Sequence, residues 1–187
     1  MSGAKFQLNK ILDHNDPTGA VTVHQGEFSV SSSETCILNT VLGSCVSVCF
    51  HDPVLKIGGM NHILLPENRS ENVSDVIFGL HAMELLINAL LKRGTTRQTM
   101  QAKIFGGASM ISGLSDIGEK NIKFVQQFLR DEGYTVVAED TGGSRGRRVR
   151  FWPATGRVQM RYMIADAPLP PIKKVVDNAP ESDIELF

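Results

Sequence analysis

The sequence predicts one layered α/β domain, with a mixed sheet and two main helices. Two observations carry that prediction. Short apolar runs bounded by Gly and Pro, the pattern of buried strands, recur along the chain. Between them, two longer stretches carry apolar residues every three or four positions, the pattern of helices packed on a sheet. The chain is long enough to bury such a core, with 187 residues of which 42% are hydrophobic.

The elements follow in order. Val21, Val23, Phe28 and Val30 predict a strand or hairpin. Residues 36–41 and 46–50 are short apolar runs rich in β-branched side chains. Residues 57–65 form another such run, opened by Gly58 and Gly59 and closed by Pro66. The first helix starts from Ser74 as N-cap, with Asp75 suited to its first turn. Val76, Leu80, Met83, Ile87 and Leu90 make its apolar stripe, and Gly94 is placed to end it. A strand over 103–105 leads into the loop Gly106-Gly107-Ala108. The second helix spans about 118–132, with Ile122, Val125 and Leu129 inward and Gly133 as its stop. Residues 134–138 return to strand character. Residues 147–152 and 158–164 predict a hairpin turning through Pro153 to Gly156.

The ends differ in composition from this middle. Residues 1–19 are polar and aperiodic, which suggests a loose arm. Residues 166–187 hold Pro168, Pro170, Pro171 and Pro180, half of the chain's eight prolines. Asp177, Glu181, Asp183 and Glu185 surround the last of them. Missing amide donors and unburied charge suit a tail better than a core. The expected domain is therefore 20–165.

Composition narrows the function classes. Nineteen Lys and Arg oppose twenty Asp and Glu, for a net charge of −1. A dedicated nucleic-acid binder carries a strong basic excess, so that class is not expected. Three Cys are too few for a disulfide scaffold and fit a reduced, cytoplasmic chain. No stretch resembles a signal peptide or an apolar span of membrane length, so membrane insertion is not expected.

One segment carries chemistry. The strand-like run through Asn39, Thr40 and Val41 ends in Leu42-Gly43-Ser44, and Cys45 follows at once. A turn there can aim backbone N–H groups into one small volume, lowering a thiol pKa and later holding an oxyanion. A nucleophilic Cys needs a base, and His62 lies in the next strand-like run. A packed core is the ordinary fate of a free Cys, and it is the expectation for Cys36 and Cys49. Cys45, Cys49, His51 and His62 also make four potential zinc ligands. The compact Cys-x-x-Cys spacing is absent, and strand alternation does not gather all four, so no metal is expected. Gly106 to Ser109 lacks the full phosphate-loop pattern and suits close backbone packing instead. No cofactor is expected. Arg145, Arg147, Arg148 and Arg150 form the basic run, read either as a solvated hairpin edge or as a docking surface for an acidic protein.

These residues resemble a known family. Leu42-Gly43-Ser44-Cys45-Val46-Ser47-Val48-Cys49, Asp52-Pro53 and Gly58-Gly59-Met60-Asn61-His62-Ile63-Leu64-Leu65-Pro66 look like the chemoreceptor glutamine deamidase family, CheD. Lys103-Ile104-Phe105-Gly106-Gly107-Ala108-Ser109-Met110, Ile117-Gly118-Glu119-Lys120-Asn121 and Ala138-Glu139-Asp140-Thr141-Gly142-Gly143 continue the likeness. The resemblance implies deamidation of glutamines on methyl-accepting chemotaxis receptors, with receptor methylesterase activity in some members. It implies Cys45 as nucleophile, His62 as base and a residue just upstream that orients His62. Thr40 is the counterpart for that third role, and a register shifted by one puts Asn39 there. The resemblance further implies a fold distantly like papain-like enzymes and deamidating toxins. As partner it implies a phosphatase of the CheC type, through which a non-catalytic interaction role is the alternative.

Overall fold

The computed structural model describes residues 17–65, 73–109 and 116–163. Of the expected arm only residues 17–19 are described, and the expected tail, 166–187, lies outside the described residues. The chain runs β1 (Ala20–Thr22), β2 (Phe28–Ser31), β3 (Ile37–Leu42), β4 (Val46–Asp52), β5 (Ile57–Asn61), α1 (Val73–Leu91) and β6 (Gln101–Gly106). It continues through α2 (Asp116–Asp131), β7 (Thr135–Thr141), β8 (Arg147–Trp152) and β9 (Arg157–Tyr162). Helix α1 begins at Val73, so Ser74 falls inside its first turn rather than at the cap. Gly94 and Gly133 adopt φ of +93° and +72° just beyond the two helices, the left-handed conformation that ends a helix cheaply only at Gly.

The strands divide between two mixed sheets rather than entering one. The first has the order β1-β3-β8-β9, with β1 parallel to β3 and the rest antiparallel. The second has the order β2-β5-β4-β6-β7, with β7 parallel to β6 and the rest antiparallel. Both helices cover one face of the second sheet, and the first sheet covers the other. The result is three layers: sheet, sheet, helices.

Strand β4 shows why the sequence reads as it does. It lies at the centre of the second sheet and is buried along nearly its whole length, so even its polar Ser47 and Asp52 are enclosed. Val46, Val48 and Phe50 point to the helices and join Leu86, Leu90 and Leu129 in one cluster. Cys49 points the other way and joins Met60 and Phe105 of its own sheet with Leu38, Leu42, Val149 and Phe151 of the first sheet. Cys36 and Cys49 are both buried in this inter-sheet core. Burial pushes the Cys49 thiol up to about 12, with the Ser47 side chain and Lys103 opposing the rise, so it is inert as a nucleophile.

Candidate active site

The site lies between the two sheets, and strand register assembles it. Val46 and Ile63 exchange both backbone hydrogen bonds, at 2.9 and 2.7 Å, just beyond the end of β5. This prolongs the β4–β5 register, in which Cys49 faces Met60. His62 therefore lies opposite Ser47, and Cys45 stands two residues further along the same face. Diagonal neighbours of this kind are about 7–8 Å apart, within side-chain reach. That face is the one turned toward the first sheet.

Thr40 reaches the same space from the first sheet. On β3 the inward residues are Leu38, Thr40 and Leu42, and Thr40 is 2% exposed. Its hydroxyl donates to the Val23 carbonyl at 2.9 Å and lies 2.8 Å from His62 Nδ1. A hydroxyl has one proton, and the Val23 carbonyl can only accept. The network is satisfied when Nδ1 carries the imidazole proton and donates it to Thr40 Oγ1. The Val23 carbonyl, 3.4 Å from Nδ1, favours the same tautomer. The lone pair then belongs to Nε2, which is buried with no hydrogen-bond partner among the described residues. A buried acceptor without a donor ordinarily costs about 1–3 kcal/mol. Asn39 faces the other way, and its amide donates to the Val21 and Ile37 carbonyls.

The turn before Cys45 is held by a third layer of contacts. The Gly107 N–H donates to the Cys45 carbonyl at 2.7 Å, and the Ala108 N–H donates to the Gly43 carbonyl at 2.8 Å. A Cβ at Gly106 would overlap the Cys45 carbonyl, and Gly106 has φ +114°. The glycine pair thus serves close backbone approach, not phosphate binding. The Cys45 N–H donates to no carbonyl among the described residues and lies against its own thiol.

Electrostatics set the resting protonation. Burial lowers the His62 pKa below its ordinary value, with the Val23 carbonyl opposing and His24 adding to the shift. Burial raises the Cys45 thiol above its ordinary value, outweighing the hydrogen bond from its own amide. The Cys45 amide thus lowers the thiol pKa as expected, but burial outweighs it. Both groups are neutral near pH 7, as a thiol and an imidazole rather than an ion pair.

Two residues read differently in the structure. Asn121 of α2 is fully buried; its Nδ2 donates to the Ser44 carbonyl at 3.0 Å, and its Oδ1 accepts from the Leu65 N–H at 2.8 Å. It ties the turn before Cys45 to the strand end after His62. Sequence reasoning missed this role, although Asn121, Val125 and Leu129 share the inward spacing of four. Arg147 leaves the basic run: it is buried, pairs with Asp140 at 2.6 Å and donates to the Gly142 carbonyl at 2.8 Å. Among the described residues, no three His, Cys, Asp or Glu side chains are grouped to hold a metal ion.

A cleft of about 590 Å³ reaches the Thr40 and His62 side of the site, and Cys45 is not among its lining residues. His24, Thr40 and His62 line it, together with Arg148 and Arg150. No helix among the described residues is long and apolar enough to cross a membrane.

Comparison with known proteins gives a consistent family. Residues 64–162 match the family model described as CheD chemotactic sensory transduction. That match begins just after His62, so none of Thr40, Cys45 and His62 falls within it. A Caulobacter vibrioides protein named probable chemoreceptor glutamine deamidase CheD is 46% identical over 185 residues, covering 93% of this chain and 97% of its own. A Cereibacter sphaeroides protein of the same name is 50% identical over 148 residues, covering 79% of this chain and 74% of its own. Among solved structures, the hypothetical protein YfiH of Bacillus licheniformis matches at TM-score 0.41 and 14% identity, covering 71% of this chain and 61% of that one. A likeness that slight carries no argument. The sequence relatives span nearly the whole chain and agree with the family model, and on that ground the chain belongs to the CheD family.

Proposed function

We propose that the chain is a cysteine-dependent deamidase that converts glutamine side chains of chemotaxis receptors to glutamate. The names of its relatives, probable chemoreceptor glutamine deamidases, support the substrate class. The observation that carries the chemistry is the orphaned His62 Nε2, anchored through Nδ1 to Thr40 and on one sheet face with Cys45.

In this mechanism His62 Nε2 takes the thiol proton as Cys45 Sγ attacks the glutamine Cδ. The carbonyl π electrons move to oxygen, and the Cys45 N–H is placed to hold the oxyanion. One such donor is typically worth about 10²–10³ in rate. His62 returns the proton to the departing nitrogen, which leaves as ammonia, and a thioester remains. Water then attacks the thioester while Nε2 takes its proton. The Cδ–S bond breaks, the thiol recovers its proton and glutamate is released. A glutamyl methyl ester differs only in losing methanol, so receptor methylesterase activity needs no further residue. The reaction belongs to a reducing cytoplasm, which keeps Cys45 a thiol.

The test is ammonia release from a purified receptor cytoplasmic domain, with mass spectrometry of its peptides for the roughly one-dalton gain at each modified glutamine. Cys45→Ala abolishes both signals while the protein remains folded. Undiminished deamidation by that variant refutes the assignment. The competing reading, a non-catalytic role through a CheC-type phosphatase, predicts no ammonia from the wild type either.

A further inference from the structure

The outward face of the first sheet is cationic in a way the net charge conceals. Register places Arg148 beside Arg161, Arg150 beside Gln159 and Trp152 beside Arg157. Alternation turns all of them away from the inter-sheet core, since Val149 and Phe151 point inward. Across β3, Arg148 neighbours Val41 and Arg150 neighbours Asn39. No outward position on β1, β3, β8 or β9 is Asp or Glu. Among the described residues, none of Arg148, Arg150, Arg157 and Arg161 makes an ion pair. Arg147, on the same strand but inward, does.

The face is also shaped. The Arg157 guanidinium lies 3.8 Å from the Trp152 ring centre, and that of Arg150 lies 5.2 Å from it. Stacking on an aromatic face fixes the plane of a guanidinium and leaves its N–H edge free for a carboxylate. Like charges set side by side in one face repel, so an anionic partner is the complement that relieves them. The patch is continuous with the candidate active site, because Arg148 and Arg150 line the same cleft as Thr40 and His62.

We propose that this face binds an acidic segment of the protein substrate, so that the enzyme selects glutamines flanked by carboxylates. The proposal rests on the deamidase reading. It differs from the sequence-based docking surface in its members: Arg145 and Arg147 are excluded, and Arg157 and Arg161 are included. A protein segment is favoured over nucleic acid because the cleft leads to groups suited to a carboxamide and the chain as a whole is slightly acidic.

The experiment compares wild type with Arg148→Glu/Arg161→Glu, both exposed positions, and with Lys92→Glu/Arg130→Glu, which makes the same charge change elsewhere. Ammonia release is measured on a receptor cytoplasmic domain, with poly-L-glutamate as competitor. The face variant raises KM by ~10-fold or more, with kcat changed far less, and loses inhibition by poly-L-glutamate, as expected when a steering and docking charge is reversed. The control pair keeps the wild-type KM. An unchanged KM in the face variant overturns the proposal. So does an oligonucleotide of matched charge that inhibits more strongly than poly-L-glutamate. Neutralising Asp177, Glu181, Asp183 and Glu185 in the full chain tests whether the chain's own acidic residues occupy the face; binding of labelled poly-L-glutamate that appears only after this change, with KM for receptor unaltered, overturns the proposal too. If wild type releases no ammonia, the deamidase reading fails. Binding of labelled poly-L-glutamate to wild type but not to the face variant then still decides the face by itself.

Discussion

Replacing Thr40 with Val tests the geometry most directly. Val keeps the volume of the buried side chain and removes its hydroxyl. Two groups then lose a partner: the Val23 carbonyl, which accepted at 2.9 Å, and His62 Nδ1, which stood at 2.8 Å. A buried polar group left unsatisfied costs about 1–3 kcal/mol. If that whole cost falls on the positioning of the base, the rate drops by about 5- to 160-fold. The Val23 carbonyl is already 3.4 Å from Nδ1 and can accept its proton after a small shift. The imidazole then keeps the right tautomer in a slightly wrong place, so the expected loss in kcat is toward the lower end, about tenfold. Thr40→Ser retains the hydroxyl and keeps most of the rate. The assay is kcat for ammonia release from receptor, with thermal unfolding as a check on the fold. A kcat within twofold of wild type in Thr40→Val refutes the positioning argument. So does a larger loss in Asn39→Ala, because Asn39 bonds only backbone carbonyls on the other side of β3.

Two further outcomes follow from the same site. Protonated His62 cannot accept the thiol proton, and burial holds its pKa below the ordinary 6.5, so kcat/KM rises with pH through a midpoint below 6.5 and is level across neutrality. A profile that still climbs above pH 7 means instead that activity follows the thiolate of Cys45, whose pKa burial raises. Asn121→Ala releases the Ser44 carbonyl and the Leu65 N–H together, and the expected result is a drop in kcat of about 10- to 100-fold with KM nearly unchanged, since Asn121 touches the turn and not the cleft. Steady-state kinetics separate this from simple instability, which lowers the active fraction but leaves the pH midpoint in place; Asn121→Ala shifts that midpoint because the Cys45 turn and the His62 strand end are no longer tied.

Much of the layout is legible in the sequence because it depends on local periods. The helices announce themselves through stripes such as Met83, Ile87 and Leu90, and β4 through its closely spaced Val46, Val48, Cys49 and Phe50. The division into two sheets does not announce itself. Strand partners are chosen by non-local packing, and β1 and β2, adjacent in sequence, join different sheets. The choice between Thr40 and Asn39 turns on the same point. Alternation says that one of them is buried, but only the position of the second sheet says which. The run of arginines hides its members' fates for the same reason: Arg147 and Arg148 are neighbours in sequence and lie on opposite faces of β8. Asn121 was hidden by chemistry instead, since a polar residue on a helix is ordinarily read as facing water.

The division into sheets also explains the state of the proposed catalytic pair. Cys45 and His62 come from the second sheet and Thr40 from the first, so the imidazole is oriented across the interface between layers. That interface is apolar below the site, with Leu42, Met60 and Phe151 buried in it. Removal from water disfavours both the thiolate and the imidazolium, and the pair rests uncharged. On the proposed mechanism, charge develops only when a carboxamide arrives and Sγ begins to bond to it, with the new oxyanion close to the Cys45 amide. A resting thiolate would be open to oxidation and to stray electrophiles, whereas on the proposed mechanism a neutral thiol is activated only by the substrate that uses it. In that proposed mechanism the buried Nε2, which has no hydrogen-bond partner among the described residues, gains one in the reaction.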